Sequence, residues 1–370
     1  MRTMLHAQRD WCRTHDLPHV LVVPGAADSV ERDGTLTTHT IASPLVPGSP
    51  TYRLLLRSDK VLRILRDEAP DIIETHCAYN LPWTALLHRR RHGGIVSGVY
   101  MTDLPTAYVE APLAARVGAR AARVARRATE AYLRSLYARC DVVIAISPAM
   151  LRRLVELGVH GAHLVPLGVD LETFSPARRD AALRQELGVG SDGLLLIYAG
   201  RLDREKRPDL VLEAFARLRE TRADAALVVV GEGTLRAQLE SRAAVVGRAR
   251  VIPFVQSRHE MARLLASADV YVSAMAHETF GLSVVEAQAC ALPVVGVRAG
   301  AMTDRVRDGI DGFLVEPGSA DALAAPLVRT PRDAWREMGA RARTRVASEL
   351  SWRRTFETLY GIYRTNMHQE

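Results

Sequence analysis

The chain has 370 residues, 48% apolar and 25% charged, with a net charge of +7. That is the make-up of a globular protein long enough for two domains, and its basic balance favours an acidic partner: nucleotide phosphate, anionic lipid or nucleic acid. No apolar run approaches the roughly 20 residues of a membrane span. The four cysteines, Cys12, Cys77, Cys140 and Cys290, lie too far apart for a zinc cluster and read as free thiols of a reducing, cytoplasmic compartment.

Residues 1–16 read as an amphipathic helix, with Met4, Leu5, Gln8, Trp11 and Cys12 on one side, and lack the apolar core of a signal peptide. His19 to Val23 reads as a strand closed by Pro24-Gly25. A polar excursion to Gly48-Ser49-Pro50 holds a short strand near Thr38 to Ala42. Helix 58–67, strand 71–75, helix 81–91, strand 95–99, one long Ala/Arg helix over 107–139 and strand 142–145 follow. Ser147-Pro148 reads as a helix cap with proline at the first helical position.

The pattern breaks at 170–192, where charge and glycine suggest an interdomain linker. A second series then alternates: strand 194–198, helix 208–219, strand 226–230, helix 233–246, strand 250–252, helix 258–267, strand 269–273 and a strand around Phe313 to Val315. Helices over 331–348 and 352–365 end it. Two doubly wound, parallel-sheet, Rossmann-like domains are predicted, 1–170 with the returning helix 352–370, and 171–351. Such sheets bind ligands at the C-terminal ends of their strands, so a ligand is expected in a cleft where the two domains face each other.

The chemistry concentrates in Ala276 to Val295, read as loop, helix and strand. Glu278 and Glu286, eight positions apart, flank the start of that helix. There the first free backbone N–H groups carry roughly half a positive charge and attract phosphate. A carboxylate would repel phosphate, so the two acids suit neutral hydroxyls, bidentately where these form a vicinal diol. The ligand described is part phosphate and part sugar. Gly200 ends a strand, and Arg201 and Lys206 follow before a helix: a fork and a point charge suited to a diphosphate, although a lone basic loop is ordinarily just solvated. Val230-Gly231-Glu232-Gly233 repeats the strand-to-glycine pattern, where glycine permits close backbone approach. Val255, after another strand, has an amide that could meet a base edge.

These motifs, in this order and spacing, resemble the retaining glycosyltransferases of the large GT-B family, family four, that includes sucrose synthases, bacterial mannosyltransferases and sulfolipid synthases. The resemblance is carried by Gly200-Arg201-Leu202 through Lys206, Gly231 to Gly233, Glu278 to Glu286 around Phe280-Gly281-Leu282, and Asp308-Gly309 to Val315. It implies that Arg201 and Lys206 hold the donor diphosphate, that Glu286 takes the ribose hydroxyls and that Glu278 contacts the transferred sugar. It also implies that the backbone at Phe280, Gly281 and Leu282 meets sugar and phosphates. No metal is expected, and the leaving phosphate itself would receive the acceptor's proton on the same face. The expected donor is a nucleotide-diphosphate sugar, GDP-mannose first, then UDP-glucose or UDP-N-acetylglucosamine. The expected acceptor is a lipid or glycan.

The first half departs from that family twice. Family members begin with a buried mid-sheet strand and a Gly-rich loop; this chain begins within what looks like the following helix. The natural protein is therefore expected to be longer by a strand and a loop, since neighbouring strands would otherwise lack hydrogen-bond partners. Where the family places a histidine before Thr102-Asp103-Leu104-Pro105, Met101 stands here, which moves that role to Asp103 or Tyr100 or lowers activity. Asp103 is the first-domain catalytic candidate, with capping of its own loop as the alternative. His76 serves the cleft or the core, and Ser147 serves as a cap. Arg116, Arg120, Arg123, Arg127 and Arg134 form either a solvated helix face or a peripheral contact with an anionic membrane, at its inner face. Two rivals stand beside the enzyme: a non-catalytic nucleotide-sugar binding protein, motivated by Met101, and a nucleic-acid binder, which lacks aromatics among its arginines.

Overall fold

The computed structural model describes residues 2–46, 52–190 and 192–367, so the expected Gly48-Ser49-Pro50 turn lies outside them. The chain divides into two compact units, Met1–Pro166 with Arg353–Glu370, and Leu167–Trp352.

The first unit holds two sheets. β1 (His19–Gly25), β2 (Ser29–Asp33) and β3 (Leu36–Ala42) lie in the order β1-β3-β2, with β1 parallel and β2 antiparallel to β3. The hairpin β2-β3 turns at Gly34, whose φ of +59° suits a tight two-residue turn. β2 was not predicted: all five of its residues are exposed, so it shows no alternation. β4 (Ile72–Thr75), β5 (Ile95–Tyr100), β6 (Val142–Ala145) and β7 (His163–Leu164) form a parallel sheet in that order, with β5 and β6 wholly buried. β1 and β4 are each paired on one side only among the described residues.

The long helix expected over 107–139 is broken. A π-helical turn, Leu104–Glu110, leads into helix Ala111–Val117, and a second helix runs Ala119–Tyr137. Gly118 between them has φ +89° and ψ 159°, which stops helical hydrogen bonding and which side-chain-bearing residues rarely adopt. The last helix, Trp352–Met367, buries Phe356, Leu359 and Tyr363. The Tyr363 hydroxyl donates to Glu74 (2.5 Å), and the Thr355 hydroxyl donates to the Pro166 carbonyl (2.8 Å).

The second unit holds one six-stranded parallel sheet: β8 (Leu195–Ala199), β9 (Ala226–Val230), β10 (Ala249–Ile252), β11 (Val270–Val272), β12 (Val294–Val297) and β13 (Gly312–Val315). The order is β10-β9-β8-β11-β12-β13. β8, β9, β11 and β12 are buried at every residue, because helices cover both faces, and they read as unbroken apolar runs. Chain direction across the sheet reverses between β8 and β11, which makes that gap the topological switch point.

Two expectations fail here. The segment 170–192 is folded rather than a bare linker. Asp180 caps helix Ala181–Glu186, and Arg184 donates to the carbonyls of Ser267 (2.8 Å) and Gly193 (2.7 Å) while pairing with Asp269 (2.9 Å). Arg179 and Arg184 pair with Asp269, and Asp180 with Arg263, all far along the chain. Helix Ala320–Arg329 was missed because Pro326 lies inside it; Ser319 caps its start.

Candidate active site

The loops that follow β8 and β11 meet at the switch point. Lys206, after β8, places Nζ 3.0 Å from Oε2 of Glu278, after β11. Burial opposes ionisation of Glu278, but the Lys206 ammonium and the amides of Gly281 and Thr279 outweigh it and hold its pKa below the ordinary 4.5. Gly281 (φ +80°) then turns the chain into helix Leu282–Ala289. Leu282 is half-buried at its first turn. Phe280 is buried, and its carbonyl accepts from Arg305.

Glu286 lies one turn along that helix, with Oε1 3.3 Å from Nη1 of Arg258. Its side chain is 12% exposed, and burial pushes its pKa up to about 7, with Arg258 pulling back only in part and Asp170 adding to the rise. The two acids thus differ in charge: one has a close cation and two amides, the other a single, more exposed arginine. Beneath them, the Tyr271 hydroxyl donates to the Ala199 carbonyl (2.8 Å) and lies 2.9 Å from Ser283 Oγ. Burial raises the phenol's pKa, and both acids add to that, so both lie within its electrostatic reach.

Arg201 is on the same loop as Lys206, but its guanidinium is turned to the loop's own acids, Asp203 (3.1 Å) and Glu205. Asp203 in turn accepts from the amide and hydroxyl of Thr234, both at 2.9 Å, tying the β8 and β9 loops together. The glycines serve this seam. A Cβ at Gly231 would stand 1.9 Å from the Gly200 carbonyl oxygen, and one at Gly233 2.5 Å from the Leu202 backbone. The close approach inferred from Gly231 is thus made to the chain itself. Val255 follows β10, the edge strand, two strands away from β8, and is half-buried.

In the first unit, Asp103 accepts from Arg153 Nε (3.2 Å) and the Tyr100 hydroxyl (3.3 Å), and Arg153 also binds Glu130 (2.6 Å). Met101 Sδ lies 3.5 Å from His76 Nδ1, and His76 Nε2 lies 2.6 Å from Glu74. The Ser147 hydroxyl accepts from the Met150 amide, capping its helix. Among the described residues no group of three or more His, Cys, Asp or Glu could hold a metal ion. Cys12, Cys77, Cys140 and Cys290 are free.

Arg258, Asp203, Tyr271 and Arg305 were not anticipated. Their roles depend on neighbours 25 to 72 positions away. A local signal existed only for Asp203, after a strand end, and Arg258, after its Ser257 cap.

A switch point with a cation in the loop after one strand and acids in the loop and helix after the next is where open parallel sheets of this kind bind ligands. Comparison with known proteins agrees. Residues 180–343 match the model of glycosyl transferases group 1, and residues 10–173 that of glycosyltransferase family 4. A GDP-mannose-dependent alpha-(1-6)-phosphatidylinositol dimannoside mannosyltransferase of Mycobacterium tuberculosis H37Ra is 30% identical over 336 residues, 90% of this chain and 84% of the relative. A D-inositol 3-phosphate glycosyltransferase of Geodermatophilus obscurus is 38% identical over 61% of this chain and 53% of its own length. The chain belongs to the group 1 glycosyltransferases. Among solved structures, sucrose-phosphate synthase of Thermosynechococcus elongatus superposes with a TM-score of 0.79 at 20% identity, covering 100% of this chain and 93% of that one. Anabaena HepE in complex with UDP and glucose gives 0.67 at 18% identity, over 83% and 81%. These likenesses show the GT-B fold of two Rossmann-like domains.

Proposed function

We propose that the protein moves a hexosyl group from a nucleotide-diphosphate sugar to a lipid or glycan acceptor, with retention of anomeric configuration. GDP-mannose is the first candidate donor, and UDP-glucose or UDP-N-acetylglucosamine the next. The observation that carries the reading is the Lys206–Glu278 pair spanning the switch point, with Glu286 one helical turn beyond. Arg201 and Lys206 take the diphosphate, Glu286 the ribose hydroxyls and Glu278 the sugar. The backbone at Gly200, Gly231, Phe280, Gly281 and Leu282 shapes the pocket, and Val255 lies on the base side. The carboxylate of Asp103, held by Arg153 and Tyr100 within the first unit, favours the alternative role for that residue, fastening its own loop.

In this reaction the bond between the anomeric carbon and the phosphate oxygen breaks, and its electron pair leaves with the diphosphate. The acceptor oxygen bonds the carbon, and its proton passes to the leaving phosphate. Negative charge grows where Lys206, Arg201 and the helix amides lie, and preorganised donors there lower the barrier without a metal. A thermal-shift screen of GDP-mannose, UDP-glucose and UDP-N-acetylglucosamine tests this. One donor is expected to raise the melting temperature, and Glu286→Ala to abolish the shift. No shift with any donor would overturn the donor assignment.

The name of the mycobacterial relative supports a lipid acceptor, and with it a cytoplasmic protein at the inner membrane face. Arg116, Arg120, Arg123, Arg127 and Arg134 are all exposed on helices 111–117 and 119–137, each worth about 1 kcal/mol near an anionic surface. Binding to phosphatidylglycerol vesicles but not to phosphatidylcholine ones is expected; equal binding disposes of the membrane contact. Met101 motivates a second reading, donor binding with impaired transfer, which donor turnover by the wild-type chain would remove.

A further inference from the structure

Arg305 ends a single helical turn, Met302–Arg305, after β12. Its side chain is buried, with the residue 4% exposed, and its guanidinium does two things at once. Nε donates to the Phe280 carbonyl at 2.8 Å, and the guanidinium carbon lies 4.2 Å from the centroid of the Phe280 ring. The backbone carbonyl of Arg305 is gripped in turn. It accepts from Gln288 Nε2 (2.6 Å), on the helix that starts at Leu282, and from Arg345, which is itself salt-bridged to buried Asp311 (2.8 Å).

The residues just before it back the same turn. The Ala301 amide donates to the Glu278 carbonyl at 2.8 Å. Gly300, at φ +55°, lies so close that a Cβ would stand 2.7 Å from the Glu278 carbonyl oxygen and 2.8 Å from that of Ala276. Segment 300–305 therefore holds the turn 276–281 from behind at three points. An apolar residue at 305 would fill the space without burying a cation. Burial pulls the Arg305 pKa down to about 10, so the side chain stays charged at neutral pH, and Nη2 finds no protein partner among the described residues. What arginine supplies, and an apolar side chain cannot, is a donor to the Phe280 carbonyl and a cation over its ring. Together these fix the residue before Gly281, and so the aim of the Glu278 carboxylate and of the helix-start amides.

We infer that Arg305 is a positioning residue for donor binding, a brace that sets the 278–282 turn in the geometry that receives the sugar and diphosphate. This rests on the donor reading of that turn. Arg305→Met and Arg305→Lys test it in the full chain, with the Kd of GDP and UDP, donor and acceptor KM, kcat and melting temperature measured together. Arg305→Met is expected to raise the nucleotide Kd and the donor KM about tenfold with acceptor KM unchanged, and Arg305→Lys, which keeps a cation and a donor, only about threefold. A folded Arg305→Met protein with wild-type nucleotide Kd and donor KM overturns the brace, as does an equal rise in donor and acceptor KM. If Arg305→Met does not fold, Arg305→Lys decides: an unchanged donor KM overturns the inference and a raised one supports it. Failure of the donor reading itself shows on the wild-type chain, which would then bind neither GDP nor UDP; that result removes both.

Discussion

The strand ends of the two units use the same residue types differently. In the second unit, two acids that follow β11 pair with cations that follow other strands, Glu278 with Lys206 after β8 and Glu286 with Arg258 after β10. In the first unit, the corresponding acids are spent internally: Asp103 on Arg153 and Tyr100, Glu74 on His76 and Tyr363. A pair that joins two loops at a switch point is poised to exchange partners with a ligand. A network closed around one helix and one strand is poised to hold a loop still. The same carboxylate thus joins separate strand-end loops in one half and ties down its own neighbourhood in the other, and only the topology tells the two apart.

The largest expected effect is at Lys206. Lys206→Ala removes a cation from the leaving group and strands the half-buried Glu278, so kcat should fall by about 10²–10³; steady-state transfer assays read this, and a loss under tenfold would place Lys206 outside the chemistry. Gly231→Ala comes next. Its Cβ cannot fit beside the Gly200 carbonyl, and a loss of about 3 kcal/mol in denaturant unfolding is expected.

Glu286 separates binding from stability. Its folded pKa of about 7 lies above the ordinary 4.5, so the folded state holds the proton more tightly. The stability this carries is full below about 4.5 and is lost as pH rises through about 7. Glu278 has the opposite sign: its pKa is depressed, so its stability is present above 4.5 and lost as pH falls through the folded value. If the carboxylate of Glu286 takes the ribose hydroxyls, donor KM should fall several-fold between pH 6 and 8, while Glu286→Gln flattens that profile and gains stability at high pH. The smallest effect is expected in the first unit. His76→Gln and Asp103→Asn should leave the nucleotide Kd within about twofold and cost about 1 kcal/mol of stability. A donor defect in either variant, by calorimetric titration, would erase the contrast between the halves.

Much of this was legible in the sequence. The alternation of apolar runs with helical spacing yields every strand of the second sheet, and the segments 200–206 and 278–286 fall at the strand ends that meet. What was not legible depends on distant neighbours or on local exceptions. β2 has no buried residue to betray it, Gly118 is a single break in an Ala/Arg run, and Pro326 masks a helix that its Ser319 cap sustains. Arg184 and Arg305 are buried with no local signal in the sequence, because their partners sit 85 and 25 positions away. The spacing of Glu278 and Glu286 could not foretell that one is held charged while burial pushes the other toward its neutral form, since that follows from how each is buried and which cation it finds.

The bridge between Lys206 and Glu278 has a consequence for which ligands would suit it. A bare anion such as free pyrophosphate that drew the ammonium away would leave the carboxylate uncompensated beside a second negative charge. A ligand that offers hydroxyl donors within a few ångströms of its phosphates settles both partners at once. On the proposed donor reading, that one ion pair would discriminate a sugar conjugate from a bare diphosphate before any contact with the base is made.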